Sequence, residues 1–212
     1  MNEYDSHLRD DRGIFPLSEL VERSAKDFSD LPIMRTWEDE EYRAITYRQF
    51  RDMVFAIARW LLFKGIKEGD HIGVLGENRR EWAASYLAIQ TAGAAVIPVD
   101  SMLPAPGIRH VLMDSNSKML FTSAKFLSLV NELEEIPSLK TIISFDDNVE
   151  ESCTLLSDVI KAGADLDLKF RKRDLSEIAA ILYTSGTTGH SKGSDAFPSQ
   201  HHLECSLRLP DL

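Results

Sequence analysis

The feature of the sequence that most constrains the fold is a regular alternation between short apolar runs and longer amphipathic segments. The apolar runs are "HIGVLG", "AAVIPVD", "KMLFT", "TIISF" and "EIAAILYT". Between them lie segments with helical apolar spacing, such as "NRREWAASYLAIQTAG". Strands that alternate with helices of about 10–15 residues indicate βαβ units, and uninterrupted apolar strands are typical of parallel sheets covered on both faces. The sequence therefore predicts an α/β fold with a mostly parallel sheet flanked by helices.

The segment before the first of these strands predicts a long helix. In "ITYRQFRDMVFAIARWLLFKG", apolar residues recur at helical spacing from Phe50 to Leu61. Thr46 followed by Gln49 fits a capping box, and Gly65 fits a C-terminal cap. The less regular stretch "IMRTWEDEEYRAITY" is interpreted as a β-hairpin that precedes this helix.

Charge and composition exclude several classes of protein. A net charge of −10 argues against a nucleic-acid-binding surface, which needs clustered Lys and Arg. No apolar run reaches the roughly 20 residues of a membrane span, and "MNEYDSHLRDDRG" has no apolar core of a signal peptide. Cys153 and Cys205 are interpreted as reduced thiols rather than a disulfide. We expect a protein that is cytoplasmic or peripherally associated with a membrane, without a transmembrane segment.

The last apolar run leads into a loop rich in glycine and hydroxyl side chains, "YTSGTTGHSKG". In open α/β sheets, ligands bind beyond the carboxyl ends of the strands, where this loop begins. Glycines let backbone N–H groups approach a polyphosphate closely, hydroxyl groups donate further hydrogen bonds, and Lys192 adds a positive charge. The loop is not a Walker loop, because Gly193 rather than Ser or Thr follows this lysine.

This loop resembles the phosphate-binding signature of the AMP-forming adenylating enzymes, [YF]-T-S-G-[ST]-T-G-x-P-K-G. That family includes acyl-CoA synthetases, luciferases and the adenylation domains of peptide synthetases. Ser191 stands where proline is usual, a change that retains the groups expected to contact phosphate. The segments "ITYRQF", "GDHIGVLGENRREWAASYLAIQTAGAAVIPVD" and "IRHVLMDSNSKMLFTS" also resemble the family's amino-terminal subdomain. The resemblance extends from about Leu17 to Gly193.

The resemblance implies an acid–thiol ligase of fatty acid metabolism. ATP would convert a fatty acid or other carboxylic acid to an acyl-adenylate with release of pyrophosphate, and coenzyme A would then form the thioester. The implied cofactors are ATP, Mg²⁺ and coenzyme A, and no catalytic or metal-binding residue is assigned within this chain. The alternative is an aryl- or amino-acid-activating enzyme of the same family. By resemblance, the β- and γ-phosphates would be bound by Thr184, Ser185, Gly186, Thr187, Thr188, Gly189 and Lys192.

After Gly193 the chain departs from the family pattern, which continues V-M-L-[ST]-H-x-N and opens a helix. This chain reads "SDAFPSQHHLEC" instead. A permitted set of codons for this stretch, read one base out of phase, yields V-M-L-S-H-R-N-I-I-W-S. We hypothesise that residues 194–212 are a frameshifted, disordered tail ended by an early stop. Residues 17–193 would then be a partial amino-terminal domain that binds ATP and the acyl group, and residues 1–16 an amino-terminal extension.

The frameshift hypothesis has consequences for activity and for the histidines. His201, His202 and Cys205 would be products of the changed frame rather than metal ligands. The family segments that hold adenine, ribose and magnesium, and the small carboxyl-terminal domain, would be missing. The 212-residue chain is therefore predicted to lack ligase activity by itself. The alternative is a nucleotide-binding fragment that assembles with a separately encoded remainder.

Overall fold

The structure is a computed structural model, and it describes residues 16–38, 40–149, 153–174, 176–184 and 192–196. Except for its last residue, the expected extension over residues 1–16 lies outside these ranges. The predicted hairpin is present as β1 (Pro32–Glu38) and β2 (Glu41–Thr46), preceded by helix α1 (Leu17–Phe28). The remaining elements follow in chain order: α2 (Tyr47–Phe63), β3 (His71–Leu75), α3 (Arg80–Thr91), β4 (Ala95–Val99), α4 (Ala105–Asp114), β5 (Met119–Thr122), α5 (Ala124–Asn131), β6 (Thr141–Ser144), β7 (Thr154–Leu155), α6 (Leu156–Ala164), β8 (Ala180–Thr184) and β9 (Lys192–Ala196).

The strands from β3 onward form one seven-stranded sheet in the order β7-β6-β5-β3-β4-β8-β9. The pairs from β7 to β8 are parallel, and β9 pairs antiparallel with β8. The predicted α/β class with a mostly parallel sheet is therefore confirmed. The chain runs from β3 to β4 on one side and then returns to β5 on the other side of β3. This reversal creates a topological switch point between the carboxyl ends of β3 and β5.

Two apolar layers cover the sheet, one on each face. Successive side chains of a strand point to opposite faces, so Val96 belongs to the layer built with α1, α2, α3 and α6, while Ile97 belongs to the layer of α4 and α5. Ile72 and Val74 join the first layer and Leu75 joins the second, and all of these side chains are fully buried. Burial on both faces explains why the central strands read as continuous apolar runs.

Helix α2 begins and ends where the sequence predicts. The Thr46 hydroxyl accepts a hydrogen bond from the Gln49 amide at 3.2 Å, and the Gln49 side-chain oxygen accepts from the Thr46 amide at 2.9 Å. Gly65 follows the helix with a φ of +81°, a left-handed conformation that favours glycine. Its amide donates to the carbonyl of Leu62 at 2.9 Å, and the Ile66 amide donates to that of Leu61 at 3.1 Å. These bonds close both ends of the helix.

Helices α2 and α6 pack against each other with their backbones in close approach. A Cβ atom added at Gly163 of α6 would lie 1.9 Å from the carbonyl oxygen of Ala56 in α2. No side chain fits in that space without a shift of one helix. The glycine therefore sets how closely α6 covers the first apolar layer.

Candidate functional site

Strand β8 carries the predicted phosphate loop to the carboxyl edge of the sheet. Ala180 at its start and Ala179 just before it are fully buried, and the Val96 amide of β4 donates to the carbonyl of Ala179 at 3.0 Å. The parallel pairing with β4 places Val96 opposite Ala180. The strand then runs beside β4 toward the edge at which the open α/β architecture binds ligands.

The side chain that immediately precedes the predicted loop is anchored by a hydrogen bond. Ile181 and Tyr183 pack on the α4–α5 layer, while Leu182 faces the other way and is 41% exposed. The Tyr183 hydroxyl donates to a carboxylate oxygen of Asp114, the last residue of α4, at 2.7 Å. Burial and this hydrogen bond to a carboxylate raise the pKa of Tyr183 above its ordinary value. The phenol therefore stays protonated and ties the end of β8 to α4.

The structure brings the two ends of the predicted loop together. Thr184 ends β8, Lys192 begins β9, and the two are cross-strand partners in the antiparallel pairing. The chain thus leaves and re-enters the sheet at the same level, with residues 185–191 between these ends. Five of the predicted phosphate-binding residues lie outside the described residues, and their assignment stays a prediction: Ser185, Gly186, Thr187, Thr188 and Gly189.

Strand β9 was not expected from the sequence, which predicted a disordered tail from residue 194. Its pairing with β8 extends to Ala196 opposite Ala180, so the strand crosses the boundary expected after Gly193. The residues Ser194, Asp195 and Ala196 have weak strand propensity. The pairing uses backbone groups that every such residue supplies, and β8 offers an open edge, so propensity does not decide here. Residues 197–212, with the histidines discussed above, lie outside the described residues.

A second polar cluster, missed by the sequence analysis, occupies the switch point between β3 and β5. Arg79 lies 2.6 Å from Glu81 and 2.8 Å from Asp146, and Arg80 lies 2.7 Å from Glu81. The other oxygen of Asp146 accepts from the amide of Ala124, the first residue of α5, at 2.8 Å. The sequence signal for this cluster was the pair of arginines in "ENRREW", between β3 and α3.

The charges of the switch-point cluster are compensated within the chain. Burial raises the pKa of Glu81, but hydrogen bonds from Arg79 and Arg80 outweigh it, so that the net pKa shift is downward. A cavity of about 840 Å³ adjoins the cluster, with Ile45, Met53 and further apolar side chains on its other walls. Because the guanidinium groups already pair with carboxylates, we assign this cluster to holding α3 and α5 at the sheet edge.

The part of the chain that the structure describes contains neither a cluster of metal ligands nor a helix that could span a membrane. Within it, no group of three or more His, Cys, Asp or Glu residues is placed to hold a metal ion. Among the helices of the same ranges, none combines the length and apolar character that crossing a bilayer requires.

Comparison with known proteins decides the family. The AMP-binding enzyme family matches residues 21–194, which is most of the chain. The chain belongs to the AMP-binding enzyme family. This result confirms the resemblance read from the loop and the upstream segments.

The relatives of this AMP-binding family member include ligases and synthases. Long-chain-fatty-acid–CoA ligase FadD15 of Mycobacterium bovis is 29% identical over 181 residues, 82% of this chain and 30% of the relative. Bacitracin synthase 2 of Bacillus licheniformis is 27% identical over 189 residues, 89% of this chain and 6% of the relative. The chain thus spans less than a third of the length of these relatives.

Solved structures share the fold of this AMP-binding family member. The anthranilate CoA ligase AuaEII, crystallised with anthranoyl-AMP, superposes with a TM-score of 0.82 at 23% identity, over 92% of this chain and 37% of that one. The structure of a protein from Rhodopseudomonas palustris, named as a putative long-chain-fatty-acid CoA ligase, is also similar. It gives a TM-score of 0.76 at 20% identity, over 91% of this chain and 47% of that one. At these identities the likeness establishes the fold alone.

Proposed function

We propose that this chain is part of an ATP-dependent fatty acyl-CoA synthetase and contributes the loop that binds the β- and γ-phosphates of ATP. In the proposed reaction, a carboxylate oxygen attacks the α-phosphorus, pyrophosphate leaves, and the thiolate of coenzyme A displaces AMP from the acyl-adenylate. Negative charge develops on the leaving pyrophosphate, so fixed donors at the β- and γ-phosphates lower the barrier. The substrate would be a fatty acid met in the cytoplasm or at a membrane surface.

The observation that carries the proposal is the pairing of Thr184 with Lys192 at the carboxyl end of β8. Cross-strand partners in an antiparallel pair lie about 4.5–5.5 Å apart at Cα, so the two ends of the predicted loop lie close together. The sequence between these ends contains Gly186 and Gly189, which permit close backbone approach, and several hydroxyl side chains. Lys192, directly after this sequence, would add a positive charge for a polyphosphate.

The residues present fit ATP better than they fit an isolated metal ion. The loop sequence offers hydrogen-bond donors and a cation, which suit phosphate oxygens, and it contains no carboxylate. Magnesium would arrive bound to the phosphates, and when bound it neutralises part of their charge. No residue of this chain is assigned to coenzyme A.

Binding of ATP tests the proposal directly. We expect the 212-residue chain to bind Mg·ATP in equilibrium dialysis, and K192A to raise the Kd about tenfold or more, because a hydrogen bond to a charged group contributes about 1.5–3 kcal/mol. The matched control is K169A, which removes an equal charge from an exposed position before β8. Equal Kd values for the two variants, or no binding by the unchanged chain, would reject the proposed role of the loop.

We further propose that the chain by itself has no ligase activity. Its coverage of only 30% of the FadD15 relative supports this. With palmitate, ATP, Mg²⁺ and coenzyme A, mass spectrometry is expected to find no palmitoyl-CoA. Product formation by the purified chain would contradict the prediction. The alternative, assembly with a separately encoded remainder, predicts that a partner polypeptide co-purifies and restores activity.

The frameshift hypothesis remains our proposal for residues 194–212. The end of the family match at residue 194 supports it. Sequencing the gene across codons 193–212 is the test, and codons that cannot yield V-M-L-S-H-R-N in the adjacent frame would exclude it.

If restoring the frame gives a longer protein, the activity of that protein would also show which class of acid it activates. A fatty acid, an aryl acid and an amino acid would be compared by ATP–pyrophosphate exchange, since the match to bacitracin synthase 2 keeps the amino-acid alternative open.

A further inference from the structure

A buried arginine connects the beginning of β8 to the neighbouring part of the sheet. The side chain of Arg173 is only 4% exposed, although it carries a full charge. Burial lowers the pKa of this guanidinium relative to its ordinary value. Removing such a charge from water is costly unless hydrogen bonds compensate it. Its partners therefore define its role.

The partners of Arg173 are backbone carbonyl groups from two distant segments. Its Nη1 donates to the carbonyl of Gln90 at 2.9 Å and to that of Ala94 at 3.0 Å, and Nη2 donates to the carbonyl of Ile178. The first two carbonyls lie at the C-terminus of α3 and just before β4, and the third lies just before β8. A cation is favourable at the C-terminus of a helix. One guanidinium thus bridges the entries of β4 and β8.

A carboxylate in the same segment lies beside the guanidinium without a hydrogen bond to its Nε. Glu177 lies 3.7 Å from Nε of Arg173 and accepts a hydrogen bond from Arg171 at 2.6 Å. The amide of Asp174 also donates to Glu177, at 2.9 Å. Arg171 in turn lies 3.3 Å from Glu68, in the turn before β3. The segment before β8 is therefore folded around Glu177, with Arg173 directed inward.

β8 pairs at five positions with the edge strand β9, but it has few aligned positions with the central part of the sheet. The pairing between β4 and β8 has one aligned position, Val96 with Ala180, whereas β3 and β4 align at five positions. The distance from Ile178 to Thr184 along an extended chain is roughly 20 Å. Arg173 is therefore too far from the loop to contact phosphate, but a displaced start of β8 would displace Thr184 with it.

We propose that Arg173 is a positioning residue for the phosphate-binding loop. Arg173 fixes the carbonyl of Ile178 relative to those of Gln90 and Ala94. It thereby sets the position of β8 along the strand direction, and with it the position of the paired residues Thr184 and Lys192. This inference rests on the proposed function of the loop in binding ATP.

The test compares R173A with a variant that loses stability elsewhere. V159A shortens a fully buried side chain of α6, a helix that packs against α2, and serves as the matched control. Unfolding free energy is measured by denaturant titration, and the Kd for Mg·ATP is referred to the folded fraction. Positioning predicts a Kd at least tenfold higher for R173A, against a change within twofold for V159A. Equal Kd values for the two variants would overturn the inference.

A second measurement separates this inference from the proposed function. The Val96 amide donates across to β8, so its hydrogen exchange reports whether β8 is in place. We expect R173A to accelerate exchange at Val96 at least tenfold relative to V159A, whether or not ATP binds. If the unchanged chain binds no ATP, the proposed function fails, and this exchange result alone decides the role of Arg173: equal exchange in both variants would reject it.

A conservative variant keeps the test valid if R173A does not fold. R173K retains the charge but cannot bridge carbonyls from two segments with a planar group. We expect two intermediate values for R173K. Its hydrogen-exchange rate at Val96 and its Kd for Mg·ATP should each lie between the value of the unchanged chain and the value expected for R173A. Behaviour of R173K identical to the unchanged chain would show that charge alone suffices and would reject bridging.

Discussion

The centre of the sheet and its β8 end are built in different ways. β3 aligns with β4 at five positions and with β5 at four, and apolar layers bury both faces. β8 aligns with β4 at one position, and Leu182 on it is 41% exposed. Apolar burial is strong but non-directional, whereas the hydrogen bonds of Arg173 to backbone carbonyl groups are directional. The strand that carries the loop is therefore positioned mainly by a few directional hydrogen bonds, whereas the central strands are held by apolar burial on both faces.

Truncation at the centre gives the largest expected effect. Phe121 on β5 is fully buried in the first apolar layer, and F121A should lower the free energy of unfolding by about 3–5 kcal/mol through lost burial and a cavity. Its control, F63A, removes the same side chain at a position that is 64% exposed and should change stability by less than about 0.5 kcal/mol. Similar losses in the two denaturant titrations would contradict the packing of the centre.

Replacing Gly163 with alanine has opposite effects on stability through packing and through helix propensity. Alanine in a helix interior is favoured over glycine by about 1 kcal/mol, so propensity alone predicts that G163A is more stable. The new Cβ would lie 1.9 Å from the Ala56 carbonyl oxygen, so we expect a net loss of about 1–3 kcal/mol as the helices separate. Thermal unfolding shows whether G163A is less or more stable than the unchanged chain. A more stable G163A would show that the two helices separate at little cost in free energy.

Acid should loosen the β8 end before the centre. The hydrogen bond from Arg171 lowers the pKa of Glu177 below its unfolded value of 4.5, so the contribution of Glu177 to stability is complete above that value and is lost as pH falls through the folded pKa. The protection of the Val96 amide, measured relative to its intrinsic exchange rate at each pH, is expected to fall below about pH 4.5 while amides of β5 remain protected. In E177Q this local pH dependence should disappear. Loss of protection in both regions at one pH would contradict the comparison.

The smallest effect is expected at the tyrosine before the loop. Y183F removes the hydrogen bond to Asp114 but keeps the ring, and should cost about 0.5–1.5 kcal/mol. Affinity for ATP should stay within twofold, because the family signature accepts phenylalanine at this position. Y42F, at a tyrosine that is 71% exposed, is the control and should be neutral. A larger loss of ATP affinity than of stability in Y183F would give Tyr183 a role at the loop itself.

Local patterns predicted the hairpin, the strands β3 to β6 and β8, and both ends of α2, but not helix α1 or the two-residue strand β7. The capping pair Thr46 and Gln49 and the cap at Gly65 were readable because each involves residues within one turn. The position of the loop was readable because an apolar strand leads directly into glycines. Strand β9 was not, because backbone pairing at an open edge overrides weak propensity.

Contacts between distant parts of the chain had no sequence pattern. Arg173 is 83 residues from Gln90, and Arg79 is 67 residues from Asp146. Arg173 donates to a backbone carbonyl, which every residue type supplies. Its partner therefore cannot be recognised from composition or spacing. The contact of Arg79 with Asp146 depends on strand order, which periodicity does not specify.

The reversal of direction at β9 constrains what later sequence could add to the loop. Ala196 lies level with Ala180, so β9 ends at the margin of the sheet opposite the predicted phosphate-binding loop, about 14 Å back along the strand from Lys192. If the loop binds ATP as proposed, a downstream group that contacts the nucleotide would first have to return along the length of β8. A fluorophore or affinity handle attached directly after this strand would start from the remote margin and would leave the mouth of the loop unobstructed.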